Sequence, residues 1–276
     1  MSGDTGVWTY AITEQERLSG PDGDVDLSWL TGIGEEQVRP LTCSGLTALV
    51  SNVSLAEFGE AALRESLENL AWLDEVARLH HYVIDAAARI FPLLPVRLAT
   101  VYSGDAAVCA ALADHRDQLR ATLRRLGGRV EWGVKAYAAP ESESEAKRSP
   151  AAREPVAASA GTSTTGGAGL AHLRQRHTEL AAGRESRTAA VNGAQAVHAR
   201  LARQAEAAMV RAPQSPQLSG VRLPMLLNGA YLVDASAGTS FTAAVAGEAT
   251  AHPELRFELT GPWPPYSFAG ADDISG

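Results

Sequence analysis

Residues 138–167 (AAPESESEAKRSPAAREPVAASAGTSTTGG) hold one valine and no larger aliphatic or aromatic side chain. A segment with so little apolar surface does not offset the entropy lost on ordering its backbone. It reads as a flexible linker that divides the chain into residues 1–137 and 168–276. Each part is of ordinary domain size and is expected to bury its own core.

The formal net charge is −8, and it is unevenly spread. Residues 1–139 carry 12 Lys+Arg against 19 Asp+Glu. Residues 170–211 are locally basic, with seven Arg against three Glu. An acidic chain argues against broad nucleic-acid binding, which needs a basic face. No apolar run approaches the length of a membrane span, and MSGDTGVWTY lacks the basic start and apolar core of a secretion signal. The expectation is a cytoplasmic protein without a membrane segment. Cys43 and Cys109 lie in apolar runs and are expected to be free, buried thiols.

The period of the apolar residues assigns the elements. VWTYAI (7–12) reads as a strand, followed by an acidic, Gly-rich loop over 19–36. Residues 38–43 and 46–53 read as a hairpin turning at Ser44-Gly45. A helix is expected over 57–89, its stripe formed by Leu63, Leu67, Leu70, Leu73, Val76, His80, Val83 and Ala87. Pro92 and Pro95 end it. LLPVRLATVY (93–102) reads as a strand buried on both faces, 105–126 as a second helix, and 129–137 as a half-exposed strand. That strand turns Val130, Trp132, Val134 and Ala136 inward and Arg129, Glu131, Gly133 and Lys135 outward. The first part is thus an α+β sheet with helices on one face.

In the second part an Arg- and Ala-rich helix is expected over 168–211, weakened at Gly183 and Asn192-Gly193. Strands at 223–234 and 254–260 flank a helix at 239–250. The ending GPWPPYSF (261–268) displays Trp263, Tyr266 and Phe268 from a proline-stiffened backbone. It suits either a clamp on the protein's own sheet or a contact for a partner.

No phosphate loop, HExxH, GxSxG or paired CxxC is present, so no catalytic, metal or cofactor motif is visible. His80 and His81 point about 100° apart on a helix and do not share a ligand from one face. One is expected in the apolar stripe and the other in solvent. Arg97 lies in an apolar stretch, where a buried guanidinium requires a partner. An internal acid such as Asp74, Glu75 or Asp85 and a carboxylate or backbone group of a partner protein are both open.

Four segments occur together and in order: LENLAWLDEVARLHHYVIDAAARIFPLLPVRLATVY, VEWGVKAY, LLNGAYLVD and ELTGPWPPYSF. In this the chain resembles the gas vesicle protein F/L family over nearly its whole length, most loosely at 19–36 and 138–167. The resemblance implies a ferredoxin-like α+β domain at 1–137, a linker at 138–167 and a helix-rich α+β domain at 168–276. It implies a non-enzymatic assembly or minor structural protein of the gas vesicle. Its partners would be the small hydrophobic shell protein and other accessory vesicle proteins, with no nucleic acid and no cofactor. On the matched segments, partner contacts are expected at Arg97, Tyr102, Trp132, Lys135, Tyr137, Trp263 and Tyr266. One departure stands out: the resemblance implies an aromatic or glycine pattern such as RFGTVF after the proline strand, and the chain reads RLATVY, with Leu98 and Ala99.

An enzyme on a ferredoxin-like scaffold, using Arg97, His80 and Glu131, and a nucleic-acid-binding regulator using the basic helix are the competing readings. A sheet edge in the first part is the expected place for an incoming strand of the shell protein.

Overall fold

The computed structural model describes residues 5–20, 23–66, 68–139, 168–214 and 220–270. The expected linker and Leu67 lie outside them, apart from Ala138 and Ala139. Residues Met1–Glu131 together with Pro262–Gly276 form one compact unit, and Trp132–Gly261 a second. Both are mixtures of helix and antiparallel sheet, so the fold class is α+β.

The sheet of the first unit is built on β1 (Thr5–Glu14). Two short strands, β2 (Ser19–Gly20) and β3 (Gly23–Asp24), pair with each other. The hairpin β4 (Arg39–Cys43) and β5 (Leu46–Ser54) turns at Ser44-Gly45, where both φ angles are positive, as a tight hairpin requires. The sheet runs β4-β5-β1-β6, with β6 (Leu94–Pro95) and β7 (Val101–Tyr102) both antiparallel to β1. The acidic loop closes over this sheet. Leu27, Leu30 and Ile33 are buried, and the Ile33 amide donates to the Tyr10 hydroxyl at 2.7 Å.

The expected helix over 57–89 is three helices: α1 (Leu55–Phe58), α2 (Glu60–Ser66) and α3 (Leu70–Ala88). Gly59 breaks the first pair with an extended backbone. Asn69 starts α3 by accepting the amides of Ala71 and Trp72 on its side chain, a local alternative to continuing the previous helix. Leu70 consequently falls off the stripe and is exposed. α3 buries Val76, His80, Val83, Ile84 and Ala87 against Trp8, Tyr10 and Phe58. The second helix is α4 (Asp105–Asp114) and α5 (Arg116–Leu126), parted at His115.

Three further expectations are corrected. Residues 93–102 are not one strand. The chain pairs at β6, turns, and pairs again at β7, with Ala99 at φ +64° and Thr100 Oγ1 donating to the Arg97 carbonyl at 2.9 Å. Arg97 is therefore exposed on a turn and not buried in a strand. Cys43, at the end of β4, and Cys109, on α4, are joined in a disulfide, their Cα atoms 5.4 Å apart. Neither is a free thiol, because α4 lies against the hairpin end and brings together residues 66 positions apart.

The strand β8 (Arg129–Ala138) belongs to the other sheet, ordered β11-β8-β10-β9, and not to the first. Here α6 (Ala168–Ala202) runs unbroken through Gly183 and Asn192-Gly193, and ends nine residues before the expected 211. The chain then forms β9 (Ala207–Val210), paired with β10 (Met225–Asp234). α7 (Gly238–Ala251) and β11 (Leu255–Trp263) complete the order. Ala190, Ala194, Val197 and Leu201 of α6, Tyr231 of β10 and Phe241 of α7 are buried.

Candidate functional site

The C-terminal half of α3 repeats at three and four residues, which lines up Tyr82, Asp85 and Arg89 along one side. Asp85, Ala88 and Arg89 form one wall of a groove of about 400 Å³. Because α3 stops before Pro92, Phe91, Pro92 and Leu93 cross beneath it as the floor. Leu126, Arg129 and Val130 form a second wall where α5 passes into β8. The third wall is the returning C-terminal segment, Pro262, Trp263, Pro264 and Pro265. The lining is mostly apolar, with Arg89, Arg129 and Asp85 as its charged rim.

The C-terminal segment is fastened by polar contacts within the first unit. Its short 3₁₀ turn, Tyr266–Phe268, places the Tyr266 hydroxyl 2.7 Å from Nδ1 of His81. The Ser267 amide donates to a Glu131 carboxylate oxygen at 2.7 Å, and the Ser267 hydroxyl to the other oxygen. Arg125 donates to the Phe268 carbonyl at 2.6 Å. Glu131, expected outward on a half-exposed strand, is buried because this segment covers it. Burial raises the Asp85 pKa, opposed by His81 and Arg89. Tyr266 is pushed up as well, first by burial and then by the Asp85 and Glu131 carboxylates, so its hydroxyl stays protonated.

The ending GPWPPYSF thus takes the clamp role within its own unit and leaves one ring of the three exposed. Tyr266, Ser267 and Phe268 clamp, with Phe268 buried, while Trp263 is 46% exposed on the groove. Of the other expected contact residues, Tyr102 sits half-buried on β7, and Arg97 on its turn. Trp132 is buried in the second unit against Phe241, ring centres 6.3 Å apart, and its indole N–H finds no partner among the described residues. Lys135 and Tyr137 both meet Glu258, at 3.0 and 3.2 Å. The structure therefore groups Trp263 and Tyr266 in one place, and Trp132, Lys135 and Tyr137 in another. Sequence reasoning missed Asp85, Arg89, Phe91, Leu126 and Arg129. The α3 spacing signalled the first two; the return of the tail has no local signal.

The first unit has two further open surfaces. On α3, Leu79 and Tyr82 are 37% and 53% exposed, and Ile90, just past its end, is 47% exposed. At the sheet edge, β4 carries Pro40, which has no N–H to offer an incoming strand. Among the described residues no helix is long and apolar enough to cross a membrane.

Comparison with known proteins gives these elements their family. The family model described as "Gas vesicle synthesis protein GvpL/GvpF" matches residues 6–270. Gas vesicle protein L of Streptomyces sp. (strain CB03234) is 40% identical over 275 residues, covering 98% of this chain and 95% of that protein. The chain belongs to the GvpL/GvpF family of gas vesicle proteins. Two crystal structures share its fold: GvpF from Anabaena sp. PCC7120, with TM-score 0.61 and 21% identity over 96% of both chains, and GvpF from Microcystis aeruginosa, with TM-score 0.60 and 20% identity over 96% of this chain and 98% of that one. Family membership ties the protein to the gas vesicle.

Proposed function

We propose that this protein acts without catalysis in gas vesicle assembly, binding the small hydrophobic shell protein and other accessory vesicle proteins through its first unit. The observation that carries this reading is the set of exposed apolar side chains on α3 and just past its end, Leu79, Tyr82 and Ile90, next to a groove showing Trp263. Exposed apolar surface of this kind marks an interaction site. A shell protein made for a gas-facing wall must keep its own apolar surface covered until it assembles. The acidic balance of the chain would keep such a complex soluble. Pro40 on the β4 edge makes strand addition there the less favourable route, so the contact is placed on side chains.

The test has two arms. Deleting the gene from a working vesicle cluster that holds no paralogue should abolish or sharply reduce vesicles. Full-length protein should capture purified shell protein at low and at high salt, since apolar contacts resist screening. The double variant Tyr82→Ser, Ile90→Ser should lose that capture while melting as the parent does. Normal vesicles after deletion, or unchanged capture by the double variant, would overturn the proposal.

A further inference from the structure

The helix α4 is fixed to the edge of the first unit's sheet at two points. β4 is the outermost strand in the order β4-β5-β1-β6, and its alternate residues Arg39, Leu41 and Cys43 share one face. Asp105 and Cys109 are four residues apart and share one side of α4. Arg39 meets Asp105 in a two-pronged pair at 2.6 and 3.2 Å, and Cys43 is bonded to Cys109. The two ties differ in kind. The ion pair is open to solvent, its side chains 34% and 49% exposed, and such pairs are weak and screened by salt. The disulfide is therefore the strong tie. Cys43 and Cys109 are both half-buried, which leaves their bond open to attack by a thiol.

Beneath these ties α4 is thinly packed. Val108 and Leu112 are its buried residues, and neither belongs to the core around Trp8, Tyr10 and Phe58. The hairpin turn has its own anchor on the next helix, where Arg120 of α5 donates to the Gly45 carbonyl at 3.3 Å. Opening the disulfide thus loosens α4 and leaves the hairpin and that core in place. In the cytoplasm, the compartment expected from the sequence, thiol pools keep cysteines reduced, and a disulfide that forms there is as a rule a responsive one.

From this arrangement we infer that the Cys43–Cys109 bond is a redox switch for the position of α4. Its co-reactant is a dithiol. One thiolate of the dithiol attacks a sulfur of the bond, which forms a mixed disulfide and releases the other cysteine as a thiolate. The second thiolate of the dithiol then displaces the remaining cysteine and closes a disulfide within the reductant. Two electrons pass to the protein, and the two protons of the dithiol end on Cys43 and Cys109. With the bond open, α4 is held by the exposed ion pair and two apolar side chains, and it opens locally to bare Val108 and Leu112. The switch stands independently of the assembly reading.

The experiment compares the full-length protein, oxidised and after dithiothreitol, by hydrogen exchange read by mass on peptides. Reduction should proceed below the melting temperature and yield two titratable thiols. In the reduced protein the amides of residues 108–114 should exchange about tenfold faster, and faster again at high salt, where the ion pair is screened. Those of residues 76–87 on α3 should keep their rate, and reoxidation should restore the slow exchange of α4. The Cys43→Ser, Cys109→Ser variant should exchange like the reduced parent with or without dithiothreitol. A bond that resists reduction until the chain melts, equal exchange of α4 in the two states, or loss of protection on α3 together with α4 would overturn the inference, and the disulfide would then be a static staple.

Discussion

The indole N–H of Trp8 donates to Nδ1 of His80 at 3.0 Å across the core of the first unit. That contact fixes the histidine tautomer. Nδ1 must accept, so Nε2 carries the hydrogen and donates to the Val96 carbonyl, also at 3.0 Å. One ring thereby bridges β1, α3 and the start of the turn after β6. Tyr10 stacks on it with ring centres 5.5 Å apart. His80 is not a catalytic base awaiting a substrate; both ring nitrogens are engaged within the fold.

This bridge sets a pH dependence. Burial holds His80 at about 4, below its ordinary 6.5. The unfolded chain therefore takes up the proton first as the pH falls. The stabilisation is complete above pH 6.5 and is lost progressively as pH drops toward 4, by about 3 kcal/mol at roughly 1.4 kcal/mol per unit. His80→Gln keeps a donor and an acceptor but does not titrate. Denaturant unfolding of both proteins from pH 7 to pH 4 should show the parent losing stability relative to the variant over that window. A difference that stays flat removes His80 as the titrating group.

Ala99 turns the chain in the left-handed region, with φ +64°. Glycine adopts that region without the steric cost of a Cβ. An L-residue there costs about 1–2 kcal/mol, and glycine's extra chain entropy returns about 0.5–1 of it. Ala99→Gly is expected to raise stability by about 0.5–1 kcal/mol, and Ala99→Val to lower it. Melting temperatures of the three proteins decide the order.

Gly193 behaves in the opposite sense. In a helix interior, Gly→Ala normally gains about 1 kcal/mol. Here a Cβ would stand 2.8 Å from Glu254 Oε1 and 3.1 Å from His252 Nδ1, two atoms held to each other at 2.9 Å. Glu248 joins the same group through Arg200, Oε1 to Nε at 2.7 Å, so these side chains do not simply swing away. Gly193→Ala should therefore destabilise, by about 1 kcal/mol in chemical unfolding. A gain in stability would show that the cluster relaxes freely.

These positions mark what was legible. The Ser44-Gly45 hairpin, β8, β10 and α7 follow from local rules, since turn residues and alternation act over a few positions. The breaks at Gly59 and Asn69 were missed because the apolar stripe continues across them, and a cap competes with a stripe only through its hydrogen bonds. Asn192-Gly193 looked like a helix breaker for the reason just given in reverse: the glycine serves a contact 61 residues away. The Cys43–Cys109 bond and the groove share that cause. Both join segments far apart in the chain, and no local pattern encodes which segments will meet.

The disulfide carries its own consequence. Closing a loop of 66 residues restricts the unfolded chain by about 4 kcal/mol in the chain-entropy model. A Cys43→Ser, Cys109→Ser double variant should melt well below the parent, and the unreduced parent should react with no thiol reagent when unfolded. Two reactive thiols in the unreduced, unfolded chain would contradict the bond.

The fastening of the C-terminal segment depends chiefly on Glu131. The residue is 5% exposed, and its carboxylate takes both the amide and the hydroxyl of Ser267. Ser267→Ala removes one donor and leaves the amide bonded, at a cost of about 1 kcal/mol. Glu131→Ala leaves a covered amide without its acceptor, at about 2–3 kcal/mol, since hydrogen bonds to a charged group are the stronger kind. The effect should be local as well as global. With Glu131 gone, the segment from Pro262 onward is held by the Tyr266–His81 and Arg125–Phe268 contacts and by the burial of Phe268. Digestion with a carboxypeptidase, followed by mass, should then pass beyond Phe268 faster in Glu131→Ala than in Ser267→Ala, and slowest in the parent. The groove wall should loosen in the same order, because Trp263 and the two prolines after it hang from this fastening. Identical digestion in all three proteins would mean that Phe268 alone anchors the segment, and that the groove wall does not depend on the buried carboxylate.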